Sequence, residues 1–433
     1  MFRRAMYDLL KWKANKYRKP LIIKGARQVG KTWLMKRFGQ DQYDKYAYIN
    51  FDHNVRMQGL FRGNLSIGRL ITALQIEADI KIEAANTLLI FDEIQEVPEA
   101  LTSLKYFYEQ APEYHIVAAG SLLGVALHPG TSFPVGKVDF LELYPLDFLE
   151  FMQAQGEAQL VELINKHDFE LVTTFKSRYI DLLKSYYYIG GMPEAVNIFS
   201  DTKDYTEVRA VQNKLLQAYE QDFSKHAPQE LVPRLRMLWN SLPTQLAKEN
   251  RKFIYGLIRE GARAREYELA LQWLGDCGLA YKVTKVTKPA LPLQSYLDYK
   301  AFKIYFLDVG LLSAFSQLDL KTVLEGNKIF EEFKGALTEQ YVLQQLVTQT
   351  TPFYWTAKKG TAEIDFILQG GSQIVPLEVK AEENLQAKSL KHYCQKYKPK
   401  LAIRSSLSDY RREDWLTNLP LYAINIIMDQ VYA

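Results

Sequence analysis

The chain has 433 residues, 48% hydrophobic and 24% charged, ordinary values for a globular protein and a length for about two to four domains. No apolar run of about 18 residues occurs, which argues against a helical membrane span, and two cysteines, Cys277 and Cys394, exclude a disulfide framework. The net charge of +4 hides segregation: residues 1–40 carry twelve Lys/Arg against one acid, residues 83–170 three against fifteen, and residues 231–304 thirteen against six. Such segregation serves nucleic-acid or domain-docking surfaces as well as plain solvated faces.

Met1 to Lys19 is basic but lacks an uninterrupted apolar core and a small-residue cleavage site, so it reads as an amphipathic helix and not a secretory signal. A reducing cytoplasm is the expected compartment, and no membrane partner is expected. Residues 21–33 then read Leu-Ile-Ile-Lys-Gly-Ala-Arg-Gln-Val-Gly-Lys-Thr-Trp. An apolar strand running into Gly25, four variable positions and Gly30-Lys31-Thr32 is the strand–loop–helix cradle for phosphates. Gly25 and Gly30 let the backbone wrap closely. The N–H groups of Gly25, Ala26, Arg27, Gln28, Val29, Gly30, Lys31, Thr32 and Trp33, at the start of a helix, favour an anion. Lys31 reaches the β- and γ-phosphates and the Thr32 hydroxyl ligates Mg²⁺. No guanine-reading Asn-Lys-x-Asp occurs, which favours ATP with Mg²⁺ as the ligand.

Tyr46 to Phe51 is a second strand. Thr87-Leu-Leu-Ile-Phe-Asp-Glu-Ile-Gln-Glu96 supplies a third, a continuous apolar run as expected of a strand buried on both faces. Asp92 at its end would hold Mg²⁺, and Glu93 would polarise the attacking water. Tyr114 to Ser121 is a further buried strand ending in a small polar residue. In P-loop ATPases of the AAA-like branch, which this series of strands resembles, a polar side chain here senses the γ-phosphate, the role expected of Ser121, which reads equally as a helix N-cap. Leu141 to Leu146 closes the series. Strands alternating with helices over 20–145 predict an α/β fold with a parallel sheet.

Residues 147–225 are helical by periodicity and read as a lid, interrupted by the rigid turn Tyr188-Ile-Gly-Gly-Met-Pro-Glu194. Helices at 235–246 and from Tyr267 to Gly278, then strands at 281–286 and 303–306, suggest a winged helix-turn-helix, a module that serves DNA or protein contacts. Phe330 to Leu346 is a long helix containing Glu339. Strands follow at 353–355, 362–368 and 374–380. Asp365, followed by Glu378-x-Lys380, is the pattern of a metal-dependent nuclease: Glu378 and Lys380 share a strand face, a hairpin brings Asp365 beside them, two carboxylates hold Mg²⁺ and the lysine orients water. Glu339 could complete that shell. A surface strand alternating charged and apolar residues reads the same way.

The ordered motifs Gly-Ala-Arg-Gln-Val-Gly-Lys-Thr, Ile-Phe-Asp-Glu-Ile-Gln, Ala-Gly-Ser, Tyr-Ile-Gly-Gly-Met-Pro-Glu, Tyr-Phe-Leu-Asp-Val-Gly-Leu-Leu and Glu-Ile-Asp-Phe…Leu-Glu-Val-Lys resemble the prokaryotic AAA-like P-loop ATPases whose C-terminal half is a domain of unknown function of the DUF4143 type. The resemblance covers nearly the whole chain. It implies an ATPase domain with its lid over 1–225, a winged-helix segment over 226–305 and a restriction-endonuclease-like α/β domain over 306–433. It also implies that Gly191 and Pro193 lie near the adenine. Where the family often has Arg-Asp-Ile, this chain reads Gln221-Asp222-Phe223, so no arginine role transfers there. The function expected is ATP hydrolysis coupled to a C-terminal nucleic-acid-binding or nuclease-like domain. The alternative is a slow ATP switch with a non-cleaving docking module. DNA, a protein partner and self-association are the partner classes left open.

Overall fold

The strands Leu21–Lys24 (β1), Lys45–Asn50 (β2), Thr87–Asp92 (β3), His115–Ala119 (β4) and Asp139–Glu142 (β5) hydrogen-bond in the order β2-β3-β4-β1-β5, every pair parallel. Every residue of β3 and β4 is buried, as the continuous apolar run predicts for a sheet covered on both faces. Ile22, Ile49, Leu89, Phe91, Ile116 and Ala118 pack with Leu70, Leu74, Leu104 and Phe107 from the covering helices. The register aligns Asn50 with Asp92 and Asp92 with Ala119, so these residues share the carboxyl edge, where open α/β sheets place their ligands. The computed structural model describes residues 2–432 except 85, 121–133, 249–251, 326–330, 358–359 and 384–385.

The strands Ala280–Val286 (β6), Leu297–Phe306 (β7), Phe353–Thr356 (β8), Glu363–Gly370 (β9), Gln373–Val379 (β10), Ile403–Ser406 (β11), Arg411–Arg412 (β12) and Thr417–Pro420 (β13) form a second, mixed sheet, ordered β12-β13-β11-β10-β9-β8-β6-β7. One face packs on helix Lys388–Tyr397, with Trp355, Ile364, Ile367, Leu390 and Tyr393 in one apolar cluster.

Two expected boundaries move. The chain divides into a unit of Phe2–Tyr144 with Asp276–Gly278 and a unit of Pro145–Gly275 with Leu279–Ala433. The helices over 147–225, expected to be a lid within an ATPase domain ending at 225, therefore group with the second sheet. The hairpin β6–β7, expected to be the wing of a separate segment over 226–305, is the edge of that sheet instead: Lys285 and Val286 pair in parallel with Tyr354 and Trp355. The expected division at 305/306 falls inside β7, and among the described residues the β6–β7 hairpin does not stand apart from the second sheet.

The reason for the first shift is an interlock. Gly190 (φ +75) and Gly191 form a turn against the Asp308 side chain, whose Oδ2 accepts the Gly191 N–H at 2.6 Å. A Cβ at Gly191 would lie 2.0 Å from the Leu146 carbonyl oxygen, and one at Gly310 would lie 2.3 Å from that of Ile189. Gln212 Nε2 donates to the carbonyls of Tyr188 (2.7 Å) and Ile189 (2.9 Å), closing the turn from a third helix. Backbone on backbone cannot yield to a methyl group. Gly191→Ala is expected to lower stability by about 3 kcal/mol, seen as a lower denaturant midpoint at unchanged slope; an unchanged midpoint would contradict the interlock.

Candidate nucleotide site and a second carboxylate group

The loop between β1 and helix Lys31–Gln42 needs its glycines. Gly25 has φ +147, and a Cβ there would sit 2.2 Å from the Leu143 carbonyl oxygen. Gly30 (φ +94) turns the chain into the helix from the left-handed region, which only glycine enters cheaply. Gln28 is also left-handed, at φ 66. From outside the loop Arg3, itself buried, donates to the Val29 carbonyl at 2.9 Å and to the Tyr144 carbonyl at 2.6 Å. Ala26 and Val29 are buried; Arg27, Gln28 and Trp33 are exposed.

Lys31 is 7% exposed, and its ammonium donates to the carbonyls of Gly25 (2.9 Å) and Ala26 (2.8 Å), across the concave side of the loop. Burial lowers its pKa to about 8, against the opposing pull of the Glu93 and Asp92 carboxylates, while Arg27 adds to the lowering. All four charged groups thus share one electrostatic environment.

Asp92 is the hub. Its Oδ2 accepts from Thr32 Oγ1 at 2.7 Å and from the Tyr48 hydroxyl at 3.0 Å; its Oδ1 accepts the Glu93 N–H at 3.2 Å. Burial, then the Asp92 charge, pushes the Tyr48 phenol up, which keeps it a donor. Glu93 has φ 50, a left-handed conformation uncommon outside glycine, and its Oε2 accepts from Gln95 Nε2 at 2.7 Å. Such a conformation at a charged residue beside a binding loop is a pointer to function.

Gly25 through Thr32, Asp92 and Glu93 are therefore brought together. Ser121 lies outside the described residues. Gly191 and Pro193, expected near the adenine, are in the other compact unit: the Gly191 N–H is taken by Asp308, and Pro193 is the first residue of helix Pro193–Thr202. The pair Gly190 and Gly191 is required there for close packing. Sequence reasoning missed Arg3, Tyr48 and Gln95. Gln95 lies within the quoted Asp-Glu-Ile-Gln motif, two residues from Glu93, and was findable.

In the second unit Asp365, Glu378 and Lys380 converge. Asp365 Oδ2 accepts the Val379 N–H at 2.8 Å, and Lys380 Nζ lies 2.8 Å from Glu378 Oε1. Burial raises the Glu378 pKa, Lys380 lowers it and Asp365 raises it again. Glu339 does not join them. It accepts from Lys303 Nζ at 3.0 Å and from the Tyr305 hydroxyl, and Lys303, fully buried, lies 2.6 Å from Glu363. Ile364 packs toward helix Lys388–Tyr397, so its neighbour Glu363 projects to the opposite face, where Glu339 meets it through Lys303. Glu378 faces helix Lys388–Tyr397, where its charge raises the pKa of Cys394, a shift led by burial. The expected shell fails because Glu339 is across the sheet. Among the described residues no three His, Cys, Asp or Glu side chains form a metal-binding group.

No helix among the described residues is long and apolar enough to cross a membrane. Residues 17–152 match the AAA domain family, residues 180–322 a domain of unknown function (DUF8612), and residues 334–424 another (DUF4143). No curated protein matches the chain. Among solved structures, the Walker-type ATPase PABY2304 of Pyrococcus abyssi is 14% identical, with 73% of this chain and 96% of that one covered at a TM-score of 0.46. Cdc6p of Pyrobaculum aerophilum is 13% identical, with 74% and 92% covered at 0.23. PCH-2 of C. elegans is 12% identical, with 63% and 66% covered at 0.24.

Proposed function

Because the chain carries an AAA domain of the P-loop ATPase type followed by a DUF4143 domain, we propose that it binds ATP with Mg²⁺ and hydrolyses the γ-phosphate. The observation that carries this reading is the 2.7 Å bond between Thr32 Oγ1 and Asp92 Oδ2. It joins the phosphate loop to the acidic strand end and presents two oxygens at one point, a donor set suited to Mg²⁺. Bound there, Mg²⁺ would neutralise charge on the β- and γ-phosphates. Lys31 leaves its two carbonyl partners to pair with phosphate oxygens, and the loop N–H groups hold the remainder. Tyr48 steadies Asp92, and Gln95 aims Glu93, which orients the attacking water and accepts its proton. Phosphate release that requires Mg²⁺ and vanishes in Lys31→Ala would support this; equal release in that variant would refute it.

A second reading concerns the C-terminal sheet, that it contacts nucleic acid and cleaves it. One observation favours it: Asp365, Glu378 and Lys380 converge. Two carboxylates suffice for Mg²⁺ when substrate phosphate and water complete the shell. Cleavage dependent on Mg²⁺ is expected to fall by at least about 100-fold in both Asp365→Ala and Lys380→Ala. Cleavage retained in both would remove the nuclease reading. Nucleotide state in the first unit would gate the activity of the second through a segment ordered around the γ-phosphate.

A further inference from the structure

Four polar residues lie in a row across the second sheet. Glu378 on β10 pairs in register with Arg404 on β11, Arg404 with Asn418 on β13, and Asn418 with Arg411 on β12. Register partners project to one face, so the row runs from the converged carboxylate through Arg404, directly beside it, and Asn418 to Arg411 at the sheet edge. Beside Arg404, Asn418 and Arg411 is a cavity of about 260 Å³ whose lining also includes Lys176, Tyr410 and the carboxylates Glu383 and Asp409, so that three cations face two acids.

The chemistry of the lining favours an anion. Lys176 lies 2.6 Å from Glu383 and 3.2 Å from Asp409, so both acids are engaged with one lysine. Arg411 pairs with Glu413, but that pair is half-exposed and such pairs are weak. Arg404 is 2% exposed and its Nε donates to Asn418 Oδ1 at 2.9 Å, which fixes the guanidinium in the cavity wall. Burial lowers the Arg404 pKa and neighbouring Arg411 lowers it further, partly offset by Glu413 and Glu378. An exposed guanidinium at Arg411, with a second one fixed in the cavity wall at Arg404, suits a phosphate. Tyr410 adds a rigid wall: its ring stacks on Phe169 at 3.8 Å and 6°, the kind of platform that single-stranded nucleic acids use.

We propose that this cavity binds a phosphodiester of a nucleic-acid strand and holds the strand along the row toward Asp365 and Glu378. The inference rests on the reading of the second unit as a nucleic-acid-contacting domain. It adds the residues that grip the backbone, and it explains the row: a strand anchored at Arg411 and Arg404 would carry its neighbouring phosphate past the carboxylates.

The test uses the full chain and fluorescein-labelled oligodeoxynucleotides, single-stranded and duplex, read by anisotropy over a range of salt. Arg411 is exposed, so Arg411→Ala spares the fold, and an unchanged denaturation midpoint checks this. The wild type is expected to bind, and Arg411→Ala to weaken binding about tenfold for every sequence, with the salt slope reduced by about one. Lys176→Gln is expected to weaken it likewise. Wild-type binding that neither substitution alters would overturn the cavity assignment while leaving nucleic-acid contact standing. A wild type that binds neither form would overturn both.

Discussion

Glu93→Gln is expected to slow ATP hydrolysis by about 10²–10⁴-fold, the usual contribution of a positioned general base, while ATP with Mg²⁺ still binds. Glu93 is the leading charge opposing the fall in the Lys31 pKa, its N–H is held by Asp92, and its carboxylate is oriented by Gln95 at 2.7 Å. Replacing the carboxylate by an amide keeps size and removes the proton acceptor. Gln95→Ala should fall between the two, because it frees Glu93 to rotate without removing it. A Glu93→Gln enzyme that turns over normally would take this residue out of the chemistry and leave Asp92 with the metal alone.

Asp308→Ala is expected to lower stability by about 3–5 kcal/mol, the range for breaking a buried charge network. The carboxylate is fully buried and accepts from the N–H groups of Gly191 (2.6 Å) and Leu311 (2.9 Å) and from Gln344 Nε2 (2.9 Å). Burial raises its pKa and these donors oppose the rise. Truncation leaves their hydrogens without that acceptor in the interior, each a penalty of about 1–3 kcal/mol, and uncaps helix Val309–Phe315. Asp308→Asn keeps one acceptor oxygen and should lose less. A change under about 1 kcal/mol in urea denaturation of Asp308→Ala would show that the turn at Gly190 and Gly191 holds without its carboxylate.

The phosphate loop was legible because its demands are local. A strand, two glycines, a lysine and a hydroxyl at set spacing are read within a dozen residues, and a left-handed Gly30 is a requirement that sequence displays. Asp92 was legible for the same reason, at the end of a run buried throughout. What the sequence does not display depends on distant pairing. Gly191 and Asp308 are 117 residues apart in sequence, so two motifs that are halves of one contact read as independent. The hairpin β6–β7 has the right periodicity for a wing; only its pairing with Tyr354 and Trp355 shows which sheet owns it. Grouping Glu339 with Asp365 and Glu378 goes astray because a helix period says which residues share a stripe and not which face of a sheet that stripe meets. Its bond to Lys303 decides that. Arg404 carried no signal at all: a lone arginine on a short strand acquires meaning only from Glu378 and Asn418 beside it.

Titration calorimetry of ATP with Mg²⁺ into the wild-type chain and into Lys31→Ala tests the central claim most directly. The account predicts saturable heat for the wild type that depends on Mg²⁺, and none for the variant. Wild-type protein, folded by circular dichroism, that takes up no ATP would contradict it, as would equal heats from both proteins.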